Sequence, residues 1–576
     1  MTLRLLRSAL VLFLALALAP PAAAQTSHYV APPGWQGPGT GDGTQANPWR
    51  SIGDALKAAG PGDTLLLLDG SYGGLRWTGS TAATPEKPIT IRSLNGKGAH
   101  FEWIHLQWQA NNLTFRNLGL WPTQAPVGRP SGQLFFAERD ISNIVVDGLD
   151  IRGRVDAPSN MFAWTLEEWS AVPGGINVGA PNSRISNNTI TGTGFAIQTR
   201  GDSADNVDIT GNVIDGFRGD GIRPLGDNTR VIGNRITNSF DLNDGNHDDG
   251  IQSWVTKNGV QVGLRLEENV IIGWTGPSGH PLRSVDLQGI GLFDGPFEGL
   301  VIRNNLVAVT HVWGIAAYGA RNAVISHNTA VDLEPGLKWS PKISARKHKD
   351  GTPPENVLVA NNLAMSFETN APAGSVTFIG NSVISSPAAV FEDPATFDYR
   401  PRADSGFIDT ADPAHAAARD VFGNARPQGN GPDRGAVELG GVGGGQQTPV
   451  EEAPAPEEPA PEEPAQPEQP PAEGGDTGSG GTPDGGSTGD GSGDTGGSTE
   501  PAPAPGPKFE KAPKKDTPNK GKGVGKQALK AEKAARREAR RIAKAEAKAA
   551  RAAAPVVSSK APVLSGVSQE TVGFWR

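Results

Sequence analysis

The sequence predicts an all-β fold, a right-handed parallel β-helix (a solenoid) with an N-terminal capping helix, and three observations carry that prediction. First, a short phrase recurs in which an apolar-alternating strand is followed by Asn and a second short strand. It reads LTFRNLGL, RISNNTI, VDITGNVI, RVIGNRI, LRLEENVI, LVIRNNLV, AVISHNTA, VLVANNLA and VTFIGNSVI. Second, its turn residues Asn188, Asn212, Asn234, Asn269, Asn305, Asn328, Asn362 and Asn381 are spaced by 24, 22, 35, 36, 23, 34 and 19 residues. A strand-built period in the twenties, with longer intervals looping out of particular rungs, marks a coiled solenoid. Third, the antiparallel hairpins with turn pairs that a propeller or sandwich repeats are missing.

Each coil lays short strands on the rung before it. Inward Val, Ile and Leu then stack into one core, and a buried Asn at a corner ladders with the next. Asn also tolerates the left-handed backbone of a sharp corner. Ahead of the coils, SIGDALKAA has helical spacing and TLLLLDG reads as a buried strand. A helix there covers the open core end that a solenoid otherwise exposes. Residues 398–438 read as the closing segment of a β-helix domain spanning 25–440.

The flanks differ in kind. Arg4 and Arg7 precede an apolar run from Ala9 to Ala19, and Ala22-Ala23-Ala24 has the form of a signal-peptidase site, so 1–24 reads as a signal peptide. The run falls short of the ~20 residues of a membrane span. The expectation is an exported protein that is periplasmic, on the cell surface or extracellular. Residues 441–507 are an acidic Pro/Gly-rich linker, with thirteen acids and no base between 451 and 500, and read as disordered. Residues 508–554 are basic, with sixteen Lys or Arg against five acids up to 551, and are rich in helix formers without an apolar stripe. They would form a solvated helix able to hold an anionic envelope component, or merely solubilise the chain. Residues 555–576 are a flexible tail.

Composition narrows the chemistry. The 576 residues include 76 Gly, 48 Pro and no Cys, so Cys-ligated zinc, disulfides and thiol catalysis are excluded. The net charge of −9 averages over three unlike regions. Aligning the rungs as FAIQTRG, DGIRPLG, DGIQSWV, QGIGLFD and WGIAAYG points each central Ile inward and its neighbours outward. Rungs lie ~4.8 Å apart, so Asp220 falls beside Asp249, with Asp248 next to it. Gln198, Arg223 and Gln252 form an outer file. Gly221, Gly250, Gly289 and Gly314 leave that face shallow for a polymer. Trp254 and Trp313 could stack on sugar rings, with Trp164, Trp169 and Trp339 as further candidates. Three adjacent carboxylates repel, and a bound cation or a proton resolves the repulsion. Calcium fits Asp220, Asp248 and Asp249 with Gln252 or Asp244, although Asp-Gly pairs are also common in plain turns.

The N-terminal module and coil phrases resemble the right-handed β-helix polysaccharide lyases. Asn246-His247-Asp248-Asp249-Gly250-Ile251-Gln252-Ser253-Trp254 resembles the N-x-D-D-G-F-D-x-W segment of the family-nine pectate lyases. The resemblance, over roughly residues 27–440, implies Asp220, Asp248 and Asp249 as calcium ligands and a Lys that removes the proton alpha to the uronate carboxylate. Two departures stand out. Gln252 occupies the place of an Asp, and Gly291 stands where the family's catalytic Lys is expected. A substitute base would come from His247, His280, Arg283 or Arg223, and His247 leads because imidazole exchanges a proton near neutrality. The stretch GLKWSPKISARKHKDGTPPEN carries Lys338, Lys342, Arg346, Lys347, His348 and Lys349. Folded over the rungs it would grip a polyanionic glycan or supply the missing Lys, and Lys342 and Lys347 are the candidates. As a solvated loop it would do neither.

The expected function is calcium-assisted β-elimination on an acidic, uronate-containing polysaccharide. Arg223 would bind the substrate carboxylate, and Gln198, Gln252, Trp254 and Trp313 would line the substrate. Two alternatives stay open. The D-G-I and D-D pattern also resembles inverting polygalacturonase-type hydrolases, though their Gly-His-Gly and Arg-Ile-Lys elements are absent. A non-catalytic glycan-binding solenoid that has lost its base is the other.

Overall fold

The computed structural model describes residues 26–37, 41–123, 132–201, 203–256, 259–336 and 339–440. The segments read above as signal peptide, acidic linker, basic segment and C-terminal tail, and Lys338, lie outside them. Among the described residues no helix is long and apolar enough to cross a membrane.

The chain winds through three long parallel sheets of 15, 12 and 11 strands, one strand from each per coil, which makes the right-handed parallel β-helix. One coil runs from Arg184–Ser186 in the first sheet, through Thr189–Thr193 in the second, to Ile197–Thr199 in the third. Strands then pair with their counterparts one coil on. In the third sheet the register places Ile176, Ile197, Ile222, Ile251, Ile290, Ile315 and Ile343 in one column. All seven are buried. Each contributes roughly 1.5–3 kcal/mol relative to exposure, so the column alone strongly opposes a one-residue slip.

The corner between the first and second sheets carries the Asn ladder. Asn212 Oδ1 accepts from the backbone N–H and the Nδ2 of Asn188 at 3.1 and 2.9 Å. Its own N–H and Nδ2 donate to Asn234 Oδ1, each at 2.9 Å, and Nδ2 also donates to the Ile185 carbonyl. The pattern continues to Asn381. The left-handed residue is the one before each ladder Asn: Asn187, Glu268, Asn304, His327 and Asn361, or Gly at 211, 233 and 380. The ladder Asn itself therefore serves for its amide rather than its tolerance of positive φ.

At the N-terminal end the helix Ile52–Ala58 is capped by Ser51, whose side chain accepts from the Asp54 N–H, and Ile52, Ala55 and Leu56 enter the main core. Residues 398–438 pack against the second sheet. Tyr399, Val421, Ala436 and Val437 pack with Val270, Ile272, Leu306, Ala308 and Val331, along the flank of the second sheet. Arg426, fully buried and paired with Glu438 at 3.0 Å, ties that segment together.

The glycine reading is corrected here. A Cβ on Gly221, Gly250 or Gly289 would strike Ile236, Ile271 or Val307 and the backbone of the next coil. These glycines permit close approach inside the corner between the second and third sheets and do not shape the outer face.

Candidate functional site

The outer face of the third sheet carries the polar file expected there. Gln198 is in register with Arg223, Gln252 lies on the next rung, and Gly291 follows it. Asp249 begins one strand of this sheet, Asp220 stands two residues before the preceding one, Ile222–Arg223, and the register of Ile222 with Ile251 sets the two side by side. The Asp249 N–H donates to Asp220 Oδ1 at 3.0 Å. Winding thus brings together groups 29 residues apart in the chain.

Asp220 and Asp249 are fully buried and Asp248 nearly so. Asp220 Oδ2 accepts from Arg223 Nε in an ion pair. Asp249 Oδ2 accepts from Gln252 Nε2 at 2.8 Å. Asp248 Oδ1 accepts from Asn246 Nδ2 at 2.8 Å, and its Oδ2 from the Ser239 hydroxyl at 3.4 Å. Of the oxygens of these three aspartates, Asp249 Oδ1 alone is buried without a partner. Burial pushes all three carboxyls up. Asp249 rises well above the carboxylate range, helped by Asp220 and Asp248, and Asp248 rises to about 8 although Asn246 opposes it. Asp220 rises despite the opposing Arg223 charge.

The loop that delivers Asp248 is anchored by a second, aromatic core. Phe240 stacks on Trp169 at 4.0 Å between centroids and meets Trp274 at 5.0 Å. The short helix Leu166–Ala171 brings Trp169, and its N-terminus is closed by a capping box between Thr165 and Glu168. Trp164 and Trp169 are buried in this cluster, which corrects their assignment as sugar platforms. His280 also belongs to it, with Nε2 at 2.8 Å from the Phe162 carbonyl, and Arg283 is paired with Glu334, so both are committed elsewhere.

The remaining predicted residues divide. Trp254 is half-buried beside Arg223, whose guanidinium lies 5.2 Å from its ring centroid. His247 is exposed on the loop entering Asp248 and makes no hydrogen bond or ion pair among the described residues. Lys342 is not on a loop over the rungs: Lys342–Arg346 is itself a strand of the third sheet. It lies three rungs from the strand of Asp249, about 14 Å away, its Nζ 2.5 Å from Glu368 and 4.4 Å from the Trp313 ring centroid. Lys347 follows that strand, its N–H bonded to Asn370. Neither lysine joins the acidic group. A Cβ on Gly291 would overlap Asp249 Oδ1 and crowd the Phe293 ring, so this placement of Asp249 excludes a lysine at 291.

Phe195 escaped the sequence reading. Its ring centroid lies 3.9 Å from the Arg223 guanidinium, completing an aromatic sandwich with Trp254. The register rule that paired Asp220 with Asp249 also sets Phe195 beside Asp220, so the signal was present.

As placed, the carboxylates do not suit a divalent cation. Both Asp220 oxygens and both Asp248 oxygens have partners, a guanidinium already sits on Asp220, and no three ligating groups converge among the described residues.

No protein-family model and no curated protein matches the chain. Solved structures similar to it include a pectate lyase, at 16% identity over 73% of this chain and 97% of that one, with a TM-score of 0.33. A rhamnogalacturonan lyase is 14% identical over 66% of this chain and 94% of that one, with a TM-score of 0.39. A mannuronic-acid-specific polysaccharide lyase of family six, from human gut microbiota, is 14% identical over 65% and 90%, with a TM-score of 0.34. The fold assignment rests on the three parallel sheets themselves.

Proposed function

We propose that the chain is an exported polysaccharide lyase that cleaves a uronate-containing glycan by β-elimination on the outer face of the third sheet. The observation that supports this most is the partly exposed Arg223 guanidinium paired with the buried Asp220, which adjoins Asp249. Elimination needs a positive group to offset the substrate carboxylate, a base for the proton alpha to it and an acid for the leaving oxygen. Arg223 is the positive group within the site. His247, exposed one residue before Asp248, is the proposed base. Gln198, Gln252 and Trp254 line the sugar positions on either side, and Trp313, two rungs from Asp249, lines a more distant one.

Calcium held by Asp220, Asp248 and Asp249 is the second reading, favoured by the partnerless Asp249 Oδ1. It would supply further charge to offset the carboxylate. It requires the Arg223 guanidinium to leave Asp220.

Incubating the full chain with pectate, alginate and rhamnogalacturonan tests the reaction. Unsaturated uronate ends, seen by their ultraviolet absorbance, are expected. Reducing ends without that absorbance would mean hydrolysis, and binding without cleavage would mean a glycan-binding solenoid. His247→Ala should lower kcat by about 100-fold or more while leaving the melting temperature unchanged.

A further inference from the structure

We propose that Arg223 is the resident cation of this site, taking the uronate carboxylate directly through its open Nη edge where the resemblance would place calcium. The inference rests on the lyase reading and names the group that neutralises the substrate.

Three features of the geometry carry it. The guanidinium is used on one edge only: Nε bonds Asp220 Oδ2, while the two Nη groups make no hydrogen bond or ion pair among the described residues. The Arg223 side chain keeps 17% of its surface exposed and that of Asp220 keeps none, so the free edge faces outward. A planar fork with one free edge matches a carboxylate end-on.

The guanidinium is also held in place before any ligand arrives. Asp220 is fixed by the Asp249 N–H, and the guanidinium lies between the Phe195 and Trp254 rings. An arginine clamped on one edge and flanked by aromatic rings loses little freedom on binding, which favours affinity.

The flanking chemistry points the same way. Gln198 and Gln252, on the rungs either side, are neutral, and Gln252 turns its amide to cover Asp249 Oδ2. A neutral Gln at 252 adds no charge to repel an incoming anion.

Isothermal titration calorimetry of the full chain tests the inference, using trimers of galacturonate, mannuronate and guluronate, each in EDTA and in calcium, with carboxyl-reduced trimers alongside. At least one acidic trimer is expected to bind in EDTA within about twofold of its affinity in calcium, and about tenfold more tightly than its reduced form. Arg223→Lys, which keeps the charge but not the fork, is expected to weaken the acidic trimer about tenfold and leave the reduced trimer unchanged. Circular dichroism checks that the variant folds. If it does not, the EDTA and reduced-trimer arms on the unaltered protein decide. Binding of the acidic trimer that vanishes in EDTA and returns with calcium overturns the inference while sparing the lyase reading. So does a folded Arg223→Lys variant that binds like the parent. Absence of any uronate binding in either condition overturns both.

Discussion

Two polar stacks run along this solenoid, built alike and charged differently. At the corner between the first and second sheets, neutral amides repeat coil after coil, each donating and accepting to the next, and Asn188, Asn212 and Asn234 are completely buried. On the third sheet, Asp220 and Asp249 stack by the same register, equally buried, but as acids beside a single guanidinium. A neutral ladder satisfies itself, because every amide brings both donor and acceptor. A carboxylate brings acceptors only, so the acidic stack must borrow donors from Arg223, Gln252, Asn246 and the backbone. The first arrangement closes on itself; the second depends on donors from outside the stack.

Breaking each stack should expose that difference. The largest effect is expected for Arg223→Ala, which strands the Asp220 carboxylate in a dry site and should cost about 3–5 kcal/mol in urea melts. Adding Asp220→Asn should recover most of the loss, since an amide needs no counter-charge. A single variant as stable as the parent would show that the pair does not hold the site.

Asn234→Ala should cost less, about 2–3 kcal/mol, by leaving the Asn212 N–H buried without a partner and removing one donor from the Ile209 carbonyl. No second substitution on a neighbouring coil should rescue it, because the ladder has no charge to rebalance.

The smallest effect per step is a pair of opposed pH dependences. His327 in the ladder corner is held neutral, its pKa pushed down to about 3 by burial and then by the Arg426 charge. The unfolded chain takes up a proton below about pH 6.5 that the folded chain refuses, so this contribution is full above that pH and lost as pH falls toward 3. Asp248, pushed up to about 8, behaves in the opposite sense. The folded chain keeps a proton that the unfolded chain releases above about pH 4, so stability is lost as pH rises toward 8. Each limb should slope by at most ~1.4 kcal/mol per pH unit in denaturant titrations. His327→Asn should flatten the acid limb and Asp248→Asn the alkaline one.

Much of this was legible from one dimension. The ladder spacing from Asn188 to Asn381 is the spacing of the hydrogen-bonded pairs, because a coil's length is set where its strands repeat. The same counting placed Asp220 beside Asp249 and Gln198 beside Arg223. Other residues were not legible. Trp164 and Trp169 look like exposed platforms until the segment carrying them folds onto Phe240 and Trp274. Lys342 looks like a loop residue until it pairs with Trp313 as the next rung. Gly291 reads as a lost lysine, whereas in space it is the room that Asp249 Oδ1 occupies.

The sequence by itself determined the solenoid, its corner amides and the file of residues on the third sheet, because alternation and coil length are local properties that repeat and reinforce one another. Tertiary structure decided which edge of Arg223 stays free, which tryptophans are buried and how far each lysine stands from the aspartates. Those choices depend on side chains that meet across many coils, where burial and charge set the outcome and no short stretch of chain contains both partners.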